Sequence, residues 1–136
     1  MVFDIYYSRE YREVLYCCSE NNISLREAEL KVLSFDHSVI GARLAAHWKM
    51  PESIVEAIEF HHEPELSSNP KLAAVVNVAN VMARRLGIGD CGDNVVPDLQ
   101  PQVLSHVGMQ VEDVDNLFTT TTIAELEEAA SEFVTG

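Results

Sequence analysis

The sequence is poor in cysteine, and what it has is not paired. Cys17, Cys18 and Cys91 are odd in number, two of them are adjacent, and none stands in a C-x-x-C. A disulfide framework and a zinc knuckle are both excluded by that spacing. Free thiols fit a reducing cytoplasm, which is the expected location. Long apolar runs are missing as well: nothing approaches the roughly 18 uninterrupted residues of a spanning helix, so a membrane is not expected as a partner. The start, MVFDIYYSRE, has no basic segment leading into an apolar one, so a secretory leader is not expected. There is no strand pattern of convincing length and no internal repeat. Walker loops, G-x-G-x-x-G, H-E-x-x-H and G-x-S-x-G are all absent. Gly87 and Gly89 do sit close together, but without the preceding strand that a dinucleotide loop needs.

Positive charge is the other scarcity. All nine Lys and Arg lie at or before Arg85, so residues 87–136 carry 10 acids and no base, within a chain of net charge −13. Nucleic-acid affinity is built on cations that neutralise phosphates, and this half would repel a polyanion. Anionic membrane surfaces are disfavoured for the same reason. The acidic half reads first as a solubilising surface and second as a face that would steer a basic protein partner.

What is present is helix. With 136 residues and 47% hydrophobic composition, the chain is sized for one domain with a real core. Ser8 starts a helix to about Asn21, with Tyr7, Tyr11, Val14, Leu15 and Cys18 at helical spacing. Ser24 and Glu27 make an S-x-x-E capping box for a second helix through about Leu33. Asp36 caps a third, running to Trp48, with Ile40, Leu44 and Trp48 as its face and Gly41 and Ala45 permitting close approach. Pro51 suits the first turn of a fourth, which turns Ile54, Val55 and Ile58 inward and ends before Pro64. Asn69 and Pro70 open the longest helix, closed by Gly87. Its expected core stripe is Leu72, Val75, Val76, Ala79, Ala83 and Leu86. A loop rich in Gly, Pro and acids leads to shorter helices at about 101–107, 111–118 and 122–134, the last with a Thr122/Glu125 capping box. The fold class is therefore all-α, a multi-helix bundle without substantial β-sheet.

Five histidines offer the only chemistry. His61 and His62 follow Ile58 at i+3 and i+4, so both flank the buried stripe of the fourth helix. His37 stands near the start of the third helix, and an antiparallel pair would bring these two ends together. Three imidazoles can hold Zn, Fe or Mn. Histidines at a helix C-terminus are equally favoured by the macrodipole, with no metal involved. A Ser38-His37-Asp36 arrangement fails as a catalytic triad because neighbours along a helix do not face one another.

The pattern Glu29, His37, Gly41, Trp48, Pro51, then His61, His62 and Pro64, together with FDHSVIGARLAAHWKMPESIVEAIEFHHEP and VNVANVMARRLG, resembles the HDOD domain (HD-related output domain). That family is bacterial, all-helical and associated with signal transduction, and is similar to the HD phosphohydrolases, including the HD-GYP phosphodiesterases. The likeness covers about residues 1–110 and is specific over about 29–87; residues 88–136 add an acidic loop and short helices. A full HDOD domain is longer, so the chain resembles its C-terminal half as a single helical domain. The HD superfamily draws its core metal ligands from an upstream His, an adjacent His-Asp dyad and a late Asp. No His-Asp dyad occurs here, and the position of the late Asp is Asn80, in Val78-Ala79-Asn80. Against the family pattern His37, His61 and His62 match only the auxiliary histidines of HD-GYP enzymes.

The resemblance therefore implies a non-catalytic regulatory or protein-interaction module in cytoplasmic bacterial signalling. No catalytic residue and no cofactor are expected, and the histidines are read as a structural polar cluster. Helices shaped to pack on a missing half would expose apolar faces. A homodimer is the simplest cover, another protein the next, with the first two helices and the acidic C-terminal segment as candidate docking surfaces. The alternative is a metal-dependent HD-type phosphohydrolase with Fe, Mn or Zn on His37, His61 and His62 and a carboxylate from Glu29 or Glu63.

Overall fold

The computed structural model describes residues 8–88 and 92–117. They form α1 (Ser8–Asn21), α2 (Leu25–Leu33), α3 (His37–His47), α4 (Glu52–Glu59), a 3-10 turn (Pro64–Leu66), α5 (Pro70–Arg85), α6 (Pro101–Val107) and α7 (Val111–Leu117). No strand occurs among the described residues, as the all-α reading requires. The expected helix at about 122–134 with its Thr122/Glu125 box, Tyr7 and Cys91 lie outside the described residues.

The apolar stripe of α1 behaves as its spacing demands. Tyr11, Val14 and Cys18 are buried against Leu25 and Ala28 of α2, with Ile23, Phe35 and Ile40 packed around them. Burial is the main cause that pushes the Cys18 thiol up, so it packs as a small hydrophobe and not as a thiolate. The capping box forms: Glu27 N–H donates to Ser24 Oγ (3.3 Å) and Ser24 N–H to Glu27 Oε2 (3.0 Å). Asp36 caps α3, accepting from the backbone N–H of Ser38 and Val39.

The face of α3 differs from the expected one. Trp48 is 68% exposed, while Ser38, Ala42 and Ala45 are buried. The reason lies in the closeness of α4. A Cβ on Gly41 would come within 2.8 Å of Ile58 Cγ2, so the α3–α4 seam admits small side chains and the indole, past the last helical turn, is left outside. Pro51 stands one residue earlier than expected, as the N-cap of α4 and not within its first turn.

The core stripe of α5 differs too. The buried residues are Ala73, Ala74, Val78 and Val81. Of these, Ala74, Val78 and Val81 meet Leu99, Val103, Leu104 and Val114 in a second apolar cluster. Val75 is 47% exposed, and Ala79, Ala83 and Leu86 line an open groove instead. The helix is apolar around more than half its circumference, so periodicity offers two stripes, and packing of α6 selects the other one. Gly87 ends α5 as expected, at φ 67°, a left-handed conformation that favours glycine.

Between the two clusters runs a buried ion pair. Arg84 Nη1 is 2.7 Å from Asp93 Oδ1 and also donates to the carbonyl of Val95 (3.0 Å). The other oxygen of Asp93 accepts from the N–H of Leu25, at the start of α2 (2.6 Å). One carboxylate thus ties the loop after α5 both to α5 and to the first helical pair.

Candidate functional site: a three-histidine junction

The site is built where α2, α3 and α4 meet. Glu29 lies on the inner face of α2 and is fully buried. Its Oε2 accepts twice from His37, from the backbone N–H (2.9 Å) and from ring Nδ1 (2.7 Å). A carboxylate accepts only, so the hydrogen of His37 sits on Nδ1 and Nε2 faces away with a lone pair. That Nε2 is 3.0 Å from Nε2 of His62. On the third ring, His61 Nδ1 is 2.7 Å from the carbonyl of Ile58. A carbonyl also accepts only, so His61 likewise holds its hydrogen on Nδ1 and leaves Nε2 bare.

The rings lie close: centroids are 3.9 Å apart for His61 and His62, 4.9 Å for His37 and His62, and 5.5 Å for His37 and His61. One ring nitrogen from each of the three falls within 4.8 Å of the others. Burial, and then the neighbouring imidazoles His61 and His37, hold His62 down to about 3; burial likewise lowers His61. Both are neutral at physiological pH: His61 keeps its lone pair on Nε2, and His62, facing the bare Nε2 of His37, donates from Nε2 and keeps its lone pair on Nδ1.

A polar shell fixes these rings. Asn77 on α5 donates to the carbonyl of His61 (2.7 Å). Arg26 bridges Asp36 (2.8 Å) and Glu63 (3.0 Å), tying α2 to the start of α3 and to the residue after His62. Despite a burial cost, the hydrogen bonds from Ser38 and Arg26 hold the Asp36 carboxyl at about 2.

Of the residues singled out in the sequence, Glu29, His37, His61 and His62 do come together. Gly41 and Pro51 shape the α3–α4 seam, and Trp48 is on the surface. Asn80 is not in the cluster. It lines an adjoining polar cleft of about 320 Å³, with Arg26, His62, Asn77, Arg84 and Asp98 among its walls. Of the two carboxylates suggested as metal ligands, Glu29 accepts from His37 through Oε2 and Glu63 pairs with Arg26. Arg84 is paired with Asp93. That pair and the Arg26 bridge escaped sequence reasoning, because partners far apart along the chain leave no periodic trace.

Residues 1–64 match the family model of the HDOD domain, a shorter stretch than the motif-based likeness suggested. No curated protein matches the chain. Among solved structures it is similar to the crystal structure of an HDOD domain protein with unknown function from Geobacter sulfurreducens, with a TM-score of 0.62 and 20% sequence identity. The likeness covers 91% of this chain and 44% of that one, so this chain spans less than half the length of its structural neighbour. Residues 1–64 thus match the HDOD domain model, and the chain shares the helical fold of an HDOD domain protein.

Proposed function

We propose that the chain is a non-catalytic interaction module of bacterial signal transduction, working in the cytoplasm through an apolar docking face that a second copy of the chain covers. The observation that supports this is the groove beside α5. It has a volume of about 420 Å³, and its walls include Val75, Ala79, Met82, Ala83, Ile88 and Met109. Among the described residues no charged one lines it, although the chain is strongly acidic. Monomeric proteins rarely leave so apolar a surface uncovered, and a two-fold interface needs only one self-complementary patch. The neighbouring structure is more than twice as long; in this reading a second copy of the chain covers the face. The groove lies on α5 and α6, so docking is assigned there and not to the first two helices.

The test is a charge placed in the groove. Ala83→Glu should abolish self-association measured by sedimentation velocity while leaving the helical circular dichroism unchanged. Equal association of variant and wild type would refute the assignment. The hydrolase alternative rests on the His37, His61 and His62 convergence alone. Its distinguishing requirement is phosphodiester turnover that a chelator abolishes.

A further inference from the structure

The geometry points to a mononuclear metal site on His37, His61 and His62, with three imidazoles as ligands, a borderline divalent ion such as Zn²⁺ or Co²⁺ as occupant, and Glu29 as the residue that positions His37. This is independent of the docking face on α5.

Three observations carry it. One nitrogen from each ring converges, the three lying within 4.8 Å of one another. With metal–nitrogen bonds of about 2.0–2.1 Å, tetrahedral ligand nitrogens lie about 3.3 Å apart. The His37–His62 pair is already at 3.0 Å; ligation requires these two rings to turn their Nε2 atoms from each other toward a shared ion, with His61 closing in. Next, the hydrogens point the right way. His37 and His61 each spend Nδ1 on an oxygen acceptor, Glu29 and the Ile58 carbonyl respectively. That is the outer contact that fixes ring orientation and tautomer in histidine metal ligands. Only the hydrogen shared between the Nε2 atoms of His37 and His62 must move on ligation, to the other nitrogen of His62 or to solvent.

The buried charge supplies the third. Glu29 is fully buried, and its second oxygen, Oε1, has no hydrogen-bond partner. The nearby guanidinium of Arg26 is committed to Asp36 and Glu63. A carboxylate buried without a cation is costly. A divalent ion beyond His37 would balance it through the imidazole. The rival solution is a proton: a His37 imidazolium paired with Glu29, donating from Nε2 to His62.

The donor set selects the ion. Nitrogen-only ligation favours Zn²⁺ and Co²⁺ over Mg²⁺ or Ca²⁺, which prefer oxygen ligands. Since His62 also lines the polar cleft beside Asn77 and Asn80, a fourth ligand would come from that cleft. The ion would pin the end of α4 to the start of α3.

The test uses the intact chain, stripped with chelator and dialysed against Zn²⁺, and separately titrated with Co²⁺ followed by its visible absorption. We expect one equivalent of Zn²⁺, tetrahedral cobalt bands, and no binding of Mg²⁺ in the same range. His62→Gln, checked for folding by circular dichroism, should lose stoichiometric binding. Glu29→Gln should weaken binding about 10–100-fold. His47→Gln, on the exposed end of α3, should bind as wild type does. A folded wild type that takes up no stoichiometric Zn²⁺, or a folded His62→Gln variant that binds as tightly as wild type, would overturn the site and leave the imidazolium–carboxylate pair in its place.

Discussion

At residue scale, two positions concentrate the energetics. Asp93 is almost wholly buried, and its partner Arg84 nearly so. Removing one member of such a pair leaves the other charged, desolvated and alone, which costs about 3–5 kcal/mol. Asp93→Ala should therefore lower the unfolding free energy measured by urea denaturation by that much. It also frees the N–H of Leu25, so α2 should lose amide-exchange protection at its first turn. Gly41 is the second position. Helix propensity favours Ala there by about 1 kcal/mol, but a Cβ would lie 2.8 Å from Ile58 Cγ2. Overpacking of that kind typically costs about 1–3 kcal/mol. Gly41→Ala should thus destabilise, and less so in an Ile58→Ala background. Additive effects of the two changes would contradict the close α3–α4 approach.

At the scale of elements, the caps explain why short helices persist. Asp36 serves α3 as N-cap and Arg26 as counter-ion. Asp36→Ala should cost at least about 2 kcal/mol, since a lost cap alone accounts for about 1 and Arg26 is left partly unpaired. Asp36→Asn, which keeps a capping oxygen, should cost less. The end of α4 is tied differently: Ser68 and Ser67 donate to Glu56, and these hydrogen bonds, Ser68 first, hold its carboxyl below the usual value. A carboxyl lowered on folding stabilises above its unfolded pKa of about 4.3 and loses that contribution as pH falls through the folded value. Chemical denaturation from pH 7 downward should show a shallower acid loss for Glu56→Gln than for wild type.

Elements were also what the sequence disclosed best. Ser24/Glu27, Asp36, Pro70 and Gly87 mark helix ends by local chemistry, and local chemistry is readable in one dimension. The histidine junction was half legible, since the spacing from His37 to His61 and His62 fits two antiparallel helices. Glu29 as the partner of His37 was visible only as a motif position. The faces of α3 and α5 were misjudged for one physical reason: both helices are apolar over a wide arc, and which side is buried depends on the neighbour. Ala42 and Ala45 are inside and Trp48 outside because α4 comes close. Val78 and Val81 are inside and Val75 outside because α6 packs on that side.

On a larger scale, two apolar clusters are joined by polar connectors, the Arg84–Asp93 pair and the Arg26 bridge, while an apolar groove on α5 is open among the described residues. No helix among the described residues is long and apolar enough to cross a membrane. Association through the groove would set two chains of charge −13 against each other. Their repulsion is screened by salt, so self-association should tighten as ionic strength rises. An interface held by ion pairs would weaken instead.

The most direct measurement is molar mass by light scattering across a concentration series. A rise toward twice the 15.2 kDa chain mass, lost in Ala83→Glu, is the expected result. A mass that stays at one chain up to about 100 µM, where even weak specific dimers form, would contradict the reading of the α5 groove as a self-docking face.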